Sequence, residues 1–262
     1  MKKQYIGITG VKTVQEAQDT IELYNNAGIT METDVIPMIG ILATKDSLYG
    51  QNYDATRRRT PAGKDLAPIL EEANKGSLAM IHYCNFSDHS FLGDVAPLFT
   101  EMYEANICRS VQLNMEWPDI AELESLKKDF SLVDIVFQLS PDMIAEGNPE
   151  LVANKVADYK GLIDYLLIDP SQGAGLDFDA KELVPVYSAL KDKLPDVMIG
   201  FAGGLSKDNV YDQVSKIKKE LSHTNFIIDA EGKLRTNQGG DNILSSDEMK
   251  GYLLEAARAY CL

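Results

Sequence analysis

Several short stretches of this chain hold polar or glycine residues at spacings that chemistry could use. Asp169 closes an apolar run, Leu166-Leu167-Ile168, and leads into Pro170-Ser171-Gln172-Gly173-Ala174-Gly175. A carboxyl group at the rim of a packed core is partly desolvated, which favours its protonated form and fits it for general acid/base work. The alternative is a cap that binds the amides of the glycine loop. Gly203-Gly204 follows Val197-Met198-Ile199-Gly200-Phe201-Ala202, and Gly232 lies three residues beyond Asp229 with Ala230 and Glu231 between. Glycine at a strand end lets amide N–H groups approach a ligand, and a helix opening just afterwards favours an anion, above all phosphate. Gly203, Gly204, Ala230, Glu231 and Gly232 are therefore expected to grip a phosphate with main-chain amides, or else to form tight turns. Asp229 reads as a structural group supporting that corner.

Further candidates share strand faces. His82 and Cys84 are two apart, so one face carries both, as a possible base and nucleophile or as two ordinary core groups. Gln112 and Asn114 are paired in the same way, with Glu116 just beyond, and Thr9 closes the first apolar run. Arg57-Arg58-Arg59, within a polar loop spanning 45–60, could fold over a phosphate or be a solvated basic run. No HExxH, CxxC or EF-hand spacing occurs, and neither a metal nor a cofactor is expected.

The elements needed to position these residues alternate along the chain. Strands are expected at 5–9, 34–44, 77–86, 107–114, 133–139, 165–169, 197–202 and 225–229, each followed by an amphipathic helical pattern. Thr13-Val14-Gln15-Glu16 is a capping box, Ser140-Pro141 and Asn148-Pro149 are cap-then-proline helix starts, and Ser245 caps the last helix. Strict alternation implies a parallel sheet. The dinucleotide-binding glycine pattern of an open doubly wound sheet is missing after the first strand. Eight such units in 262 residues predict a single α/β domain, 1–262, closed as a (β/α)8 barrel, with function at the carboxyl ends of its strands.

Composition narrows the partners. The formal charge is -15, from 40 acidic and 25 basic residues, which disfavours nucleic acid and anionic membranes but not a small phosphorylated ligand. The three cysteines are widely spaced and read as free thiols in a reducing compartment. With no signal-peptide pattern and no apolar run long enough for a bilayer, the expectation is a cytoplasmic protein; oligomeric state is left open.

The order of motifs resembles the phosphoribosylanthranilate isomerases, barrels of the ribulose-phosphate-binding type. Gln4-Tyr5-Ile6-Gly7-Ile8-Thr9 stands where that family reads Lys-Ile-Cys-Gly-Ile-Thr. Gln112-Leu113-Asn114 partly matches its Gln-Leu-His-Gly. Asp169, Gly173, Gly175 and Phe178-Asp179 follow its sixth-strand pattern, Ala202-Gly203-Gly204-Leu205 its seventh, and Asp229 to Gly232 its eighth. The resemblance implies an Amadori-type isomerisation of a phosphorylated substrate, with Asp169 as acid, Thr9, Gln112, Asn114, Gly173, Gly175 and Arg58 around the substrate, and phosphate at the last two strands. The family's base, a cysteine, is Ile6 here, and its strand-four histidine is Asn114. Cys84, His82 and Glu116 are then the candidates for the base. A non-catalytic phosphosugar-binding barrel is the competing expectation.

Overall fold

A computed structural model describes residues 2–49, 59–85, 92–146, 148–171, 180–222, 225–238 and 241–261. The first half runs β1 (Gln4–Thr9), α1 (Val14–Asn26), β2 (Val35–Ala43), α2 (Lys45–Tyr49), α3 (Gly63–Ala73), β3 (Leu78–Asn85), α4 (Leu92–Glu104) and β4 (Ser110–Met115). It continues with α5 (Ile120–Asp129), β5 (Asp134–Leu139), α6 (Pro141–Ala145), α7 (Pro149–Val156), β6 (Tyr165–Ile168) and α8 (Ala180–Lys193). The last third is β7 (Met198–Ala202), α9 (Val210–Glu220), β8 (Ile227–Ala230), β9 (Arg235–Gln238), β10 (Asp241–Leu244) and α10 (Ser246–Tyr260). Strands β1 to β8 pair in parallel and in order, and β8 returns to β1 through Ile6–Ile228, Gly7–Asp229 and Ile8–Ala230. The expected (β/α)8 barrel is therefore observed.

Local chemistry explains the helix starts. The Thr13 side chain accepts from the Glu16 amide, and Glu16 Oε2 accepts from the Lys12 amide. Ser140, Asn148 and Ser245 each cap their helix through the side chain. Satisfying such orphan amides is worth about 1 kcal/mol per cap.

Side chains alternate between two apolar layers. Ile6, Ile8, Ile39, Ile41, Val111 and Leu113 belong to the large core between strands and helices. Tyr5, Met38, Met80, Val136, Tyr165, Leu167 and Met198 fill the barrel's interior. At the amino-terminal end, Lys2 Nζ pairs with Asp134 and, at 3.0 Å, with Asp164, so charge there ties strands together.

Some boundaries differ from expectation. The polar stretch after β2 begins with a short helix, α2, rather than running as loop throughout. The strand expected at 225–229 is β8, Ile227–Ala230. Between β8 and α10 the chain forms a 3-10 turn, Gly232–Leu234, and an antiparallel hairpin, β9–β10, where a simple connection was expected. Thr236 and Ile243 are opposed in that four-residue ladder; each strand is too short and polar to announce itself by apolar alternation. Among the described residues no helix is long and apolar enough to cross a membrane.

Candidate active site

The carboxyl ends of the strands open onto a cavity of about 1130 Å³. The inward parity of the strands selects its walls. Thr9 comes from β1, His82 and Cys84 from β3, Gln112 and Asn114 from β4, Gln138 from β5, Ala202 from β7 and Asp229 from β8. Asp169 and Ser171 follow β6, Gly203 and Gly204 follow β7, and Glu231 and Gly232 follow β8. Glu116 and Arg59 also line it. Gly173, Gly175, Arg57 and Arg58 lie outside the described residues. The structure thus brings all the other sequence-selected residues except Ala230 to one lining; Ala230, on β8, is buried in the outer core.

A directed hydrogen-bond chain crosses the cavity floor. Gln138 Nε2 donates to Asp169 Oδ2 at 2.7 Å, and Gln112 Nε2 donates to Gln138 Oε1 at 2.8 Å. The same Gln112 nitrogen lies 3.2 Å from His82 Nε2. Asp169 Oδ1 also accepts from the Ser171 amide at 2.9 Å and the Ser171 hydroxyl at 3.0 Å. Three donors thus converge on one carboxyl group, an arrangement suited to its anionic form. Gln138, absent from the sequence-based candidates, is the link that orients Asp169; its position inside the barrel is signalled only by the parity of β5.

Asp229 is held differently. It is 4% exposed, and the described side-chain donor to it is Thr9 Oγ1, 2.8 Å from Oδ2 and 3.1 Å from Oδ1. Burial pushes its carboxyl up to about 7, opposed by the Thr9 hydrogen bond and reinforced by the nearby charges of Glu231 and Asp169. Small residues make room for this pair. A side chain at Gly40 would strike Thr9 Oγ1 at 2.4 Å, and one at Gly7 would strike Asp229 Oδ1 at 2.6 Å.

At the β7–β8 corner, Gly203 and Gly204 have φ of 96° and 63°, the left-handed region where a Cβ is strained. A Cβ on Gly203 would also sit 2.8 Å from Asp169 Oδ1. Glycine is therefore what lets this turn close on Asp169. The corner is not purely a backbone clamp. Glu231 Oε1 takes Arg235 Nε at 3.2 Å and Arg59 Nη1 at 3.4 Å. Arg235 in turn donates to the Gly10 and Asn242 carbonyls. The hairpin thus supplies the buried cation that neutralises Glu231.

The side chain of Ile6 packs in the outer layer, against the helices, while Tyr5 packs inside and Gly7 and Thr9 share its parity. The residue at the place of the resembled family's base therefore faces away from the cavity, and Gly7 and Thr9 are the inward positions of β1 near the mouth. Burial also disarms two candidate bases. The Cys84 thiol is pushed up to about 12, and His82 is pushed down to about 4, so both are neutral near pH 7. Glu116 stands exposed at the rim. Among the described residues no cluster of histidine, cysteine or carboxylate side chains is arranged to hold a metal ion.

Fold and site together define an α/β barrel with a buried, carboxylate-bearing mouth. By sequence the chain matches no family model and no curated protein. By structure it is similar to N-(5'-phosphoribosyl)anthranilate isomerase from Pyrococcus furiosus, with TM-score 0.61, 16% identity, and 97% of this chain and 99% of that one covered. It is also similar to the catalytic domain of a hyperthermophilic chitinase from Pyrococcus furiosus, with TM-score 0.56, 10% identity, and coverage of 99% and 96%. A GH18 chitinase from Pseudoalteromonas aurantia gives TM-score 0.55 at 12% identity, covering 98% of this chain and 100% of that one. At these identities the likeness is one of fold.

Proposed function

We propose that this protein is an enzyme that moves protons on a small phosphorylated, sugar-like molecule, in an isomerase-like reaction carried by Asp169 and Asp229. The observation that carries the reading is the environment of Asp229. It is buried, faces the same cavity as Asp169, and has a carboxyl lifted to about 7. A group poised near neutrality both gives and takes a proton efficiently. Asp169 is held as an anion by its three donors, so the acid role that the resemblance implied passes to Asp229, and Asp169 is the charged acceptor beside it. This pairing replaces Cys84, His82 and Glu116 as the source of the second proton-transfer group.

The phosphate is assigned to the corner between β7 and β8, beside Gly203, Gly204 and Gly232, with Arg59 as the basic side chain at hand. The short turn after β8 follows the pattern by which barrels of this type hold phosphate. The likeness to a phosphoribosylanthranilate isomerase supports an isomerase-like reaction without selecting the substrate. The competing non-catalytic reading drew on Ile6, which does not face the cavity.

The test is turnover on a panel of aldose and ketose phosphates. Asp169→Asn and Asp229→Asn should each cut kcat by at least about a hundredfold, the scale of a lost general acid or base, while ligand binding survives. Unchanged turnover in either variant would remove that residue from the mechanism. Tight binding with no turnover across the panel would favour a binding protein.

A further inference from the structure

We propose that the β4 wall of the cavity is a subsite for a protonated amine on the ligand, held by Gln112 Oε1 and Asn114 Oδ1 beneath the carboxylate rim. This names the substrate class of the site already proposed and rests on that reading for the location of the phosphate end.

The orientation of the Gln112 amide follows from its neighbours. A carboxylate can only accept, so Gln138 must turn its Nε2 toward Asp169 and its Oε1 toward Gln112. Gln112 must then turn its Nε2 toward Gln138, where it also meets the His82 ring. That leaves Gln112 Oε1 as the open end of the chain, buried and without a hydrogen-bond partner. Asn114, two residues on and on the same face, is the register partner of Cys84 on β3. Its Oδ1 is likewise buried and without a partner. The two residues are 0% and 8% exposed. Unsatisfied buried acceptors cost on the order of 1–3 kcal/mol each. A ligand that brings N–H donors offsets that cost; one that brings another acceptor adds to it.

Charge decides between a neutral and a cationic donor. Glu116 follows β4 directly and Asp142 lies on α6, after β5; both carboxylates line the cavity, as does Glu146 at the end of α6, whose charge is met by Lys155 at 2.7 Å. Among the described residues Arg59 is the one basic side chain in the lining, and it is engaged with Glu231 at the β7–β8 corner. The mouth therefore divides in two. An anion is accommodated near Arg59 and the glycines. The β4–β5 wall offers acceptors and negative charge, which match an ammonium group and repel a carboxylate.

Calorimetric titration at pH 7 with a two-by-two set of probes tests this. The probes are D-glucose, D-glucosamine and their 6-phosphates. The amine should bind at least about tenfold more tightly than its hydroxyl counterpart within both pairs, the scale of one hydrogen bond to a charged group. Asn114→Leu should bring that ratio to within about twofold of one by removing an acceptor, and Asn114→Asp should widen it. Equal binding of amine and hydroxyl, or no detectable binding of either amino sugar, overturns the subsite, as does a preference unchanged in both variants. The phosphate assignment is read separately. It fails if the 6-phosphates bind no better than the free sugars, whatever the amine does.

Discussion

Replacing Asp229 with asparagine separates the electrostatics of the site from its shape. The amide keeps the volume and can still accept from Thr9, but it does not titrate. In the wild type the Asp229 carboxyl sits at about 7, against 3.8 for an unburied aspartate. The folded state therefore holds this proton more tightly than the unfolded chain does. The resulting stability is fully present below about pH 4 and is lost as pH rises through about 7. At roughly 1.4 kcal/mol per pH unit, the whole contribution is on the order of 4 kcal/mol. Asp229→Asn should remove that slope. The stability of the variant relative to wild type should climb by several kcal/mol between pH 4 and pH 8, with the asparagine protein gaining at the alkaline end. Other groups, including the raised Glu231, titrate in both proteins and largely cancel in the difference. Urea unfolding at intervals across that range, followed by the fluorescence of the single tryptophan, Trp117, gives the two curves. Curves that stay parallel within about 0.5 kcal/mol, the scale of an unimportant surface change, would show that burial does not hold this proton, and the acid/base role of Asp229 would fall with it.

Gly203→Ala should destabilise the protein by about 1–3 kcal/mol, because its backbone is left-handed and the new methyl meets Ser171 and Asp169 at 2.7 and 2.8 Å; a Tm equal to wild type would refute the close approach. Glu231→Gln should cost about 3 kcal/mol by leaving the guanidinium of Arg235, 2% exposed, without its carboxylate; chemical denaturation measures it, and a neutral result would mean the carbonyl contacts suffice. Cys84→Ser should leave turnover close to wild type, and the wild-type thiol, half-buried in the cavity wall, should be alkylated slowly at pH 8, since desolvation holds it near 12. Exposed Cys261 is the internal control for the alkylation, which mass mapping would follow.

The barrel was legible in the sequence because its causes are local. Alternating apolar strands and capped helices can be read from periodicity, and Thr13, Ser140, Asn148 and Ser245 cap as their sequence positions imply. The strand-end rule then placed Asp169, Gly203, Gly204 and Gly232 on one rim without further information. Facing and pairing were another matter. Period-two alternation does not say which parity of an all-apolar strand points inward, so only the structure shows that Ile6 faces the helices and Thr9 the cavity. The hairpin β9–β10 is too short to show a pattern, and with it the partner of Glu231, Arg235, stayed hidden. The acidity of Asp229 and the silence of Cys84 are properties of surroundings assembled from β1, β3, β4, β6 and β8. Sequence alone determined that these strands exist and where they end; only closure of the barrel decided which side chains meet, because burial and hydrogen-bond partners come from residues as far apart as Thr9 and Asp229.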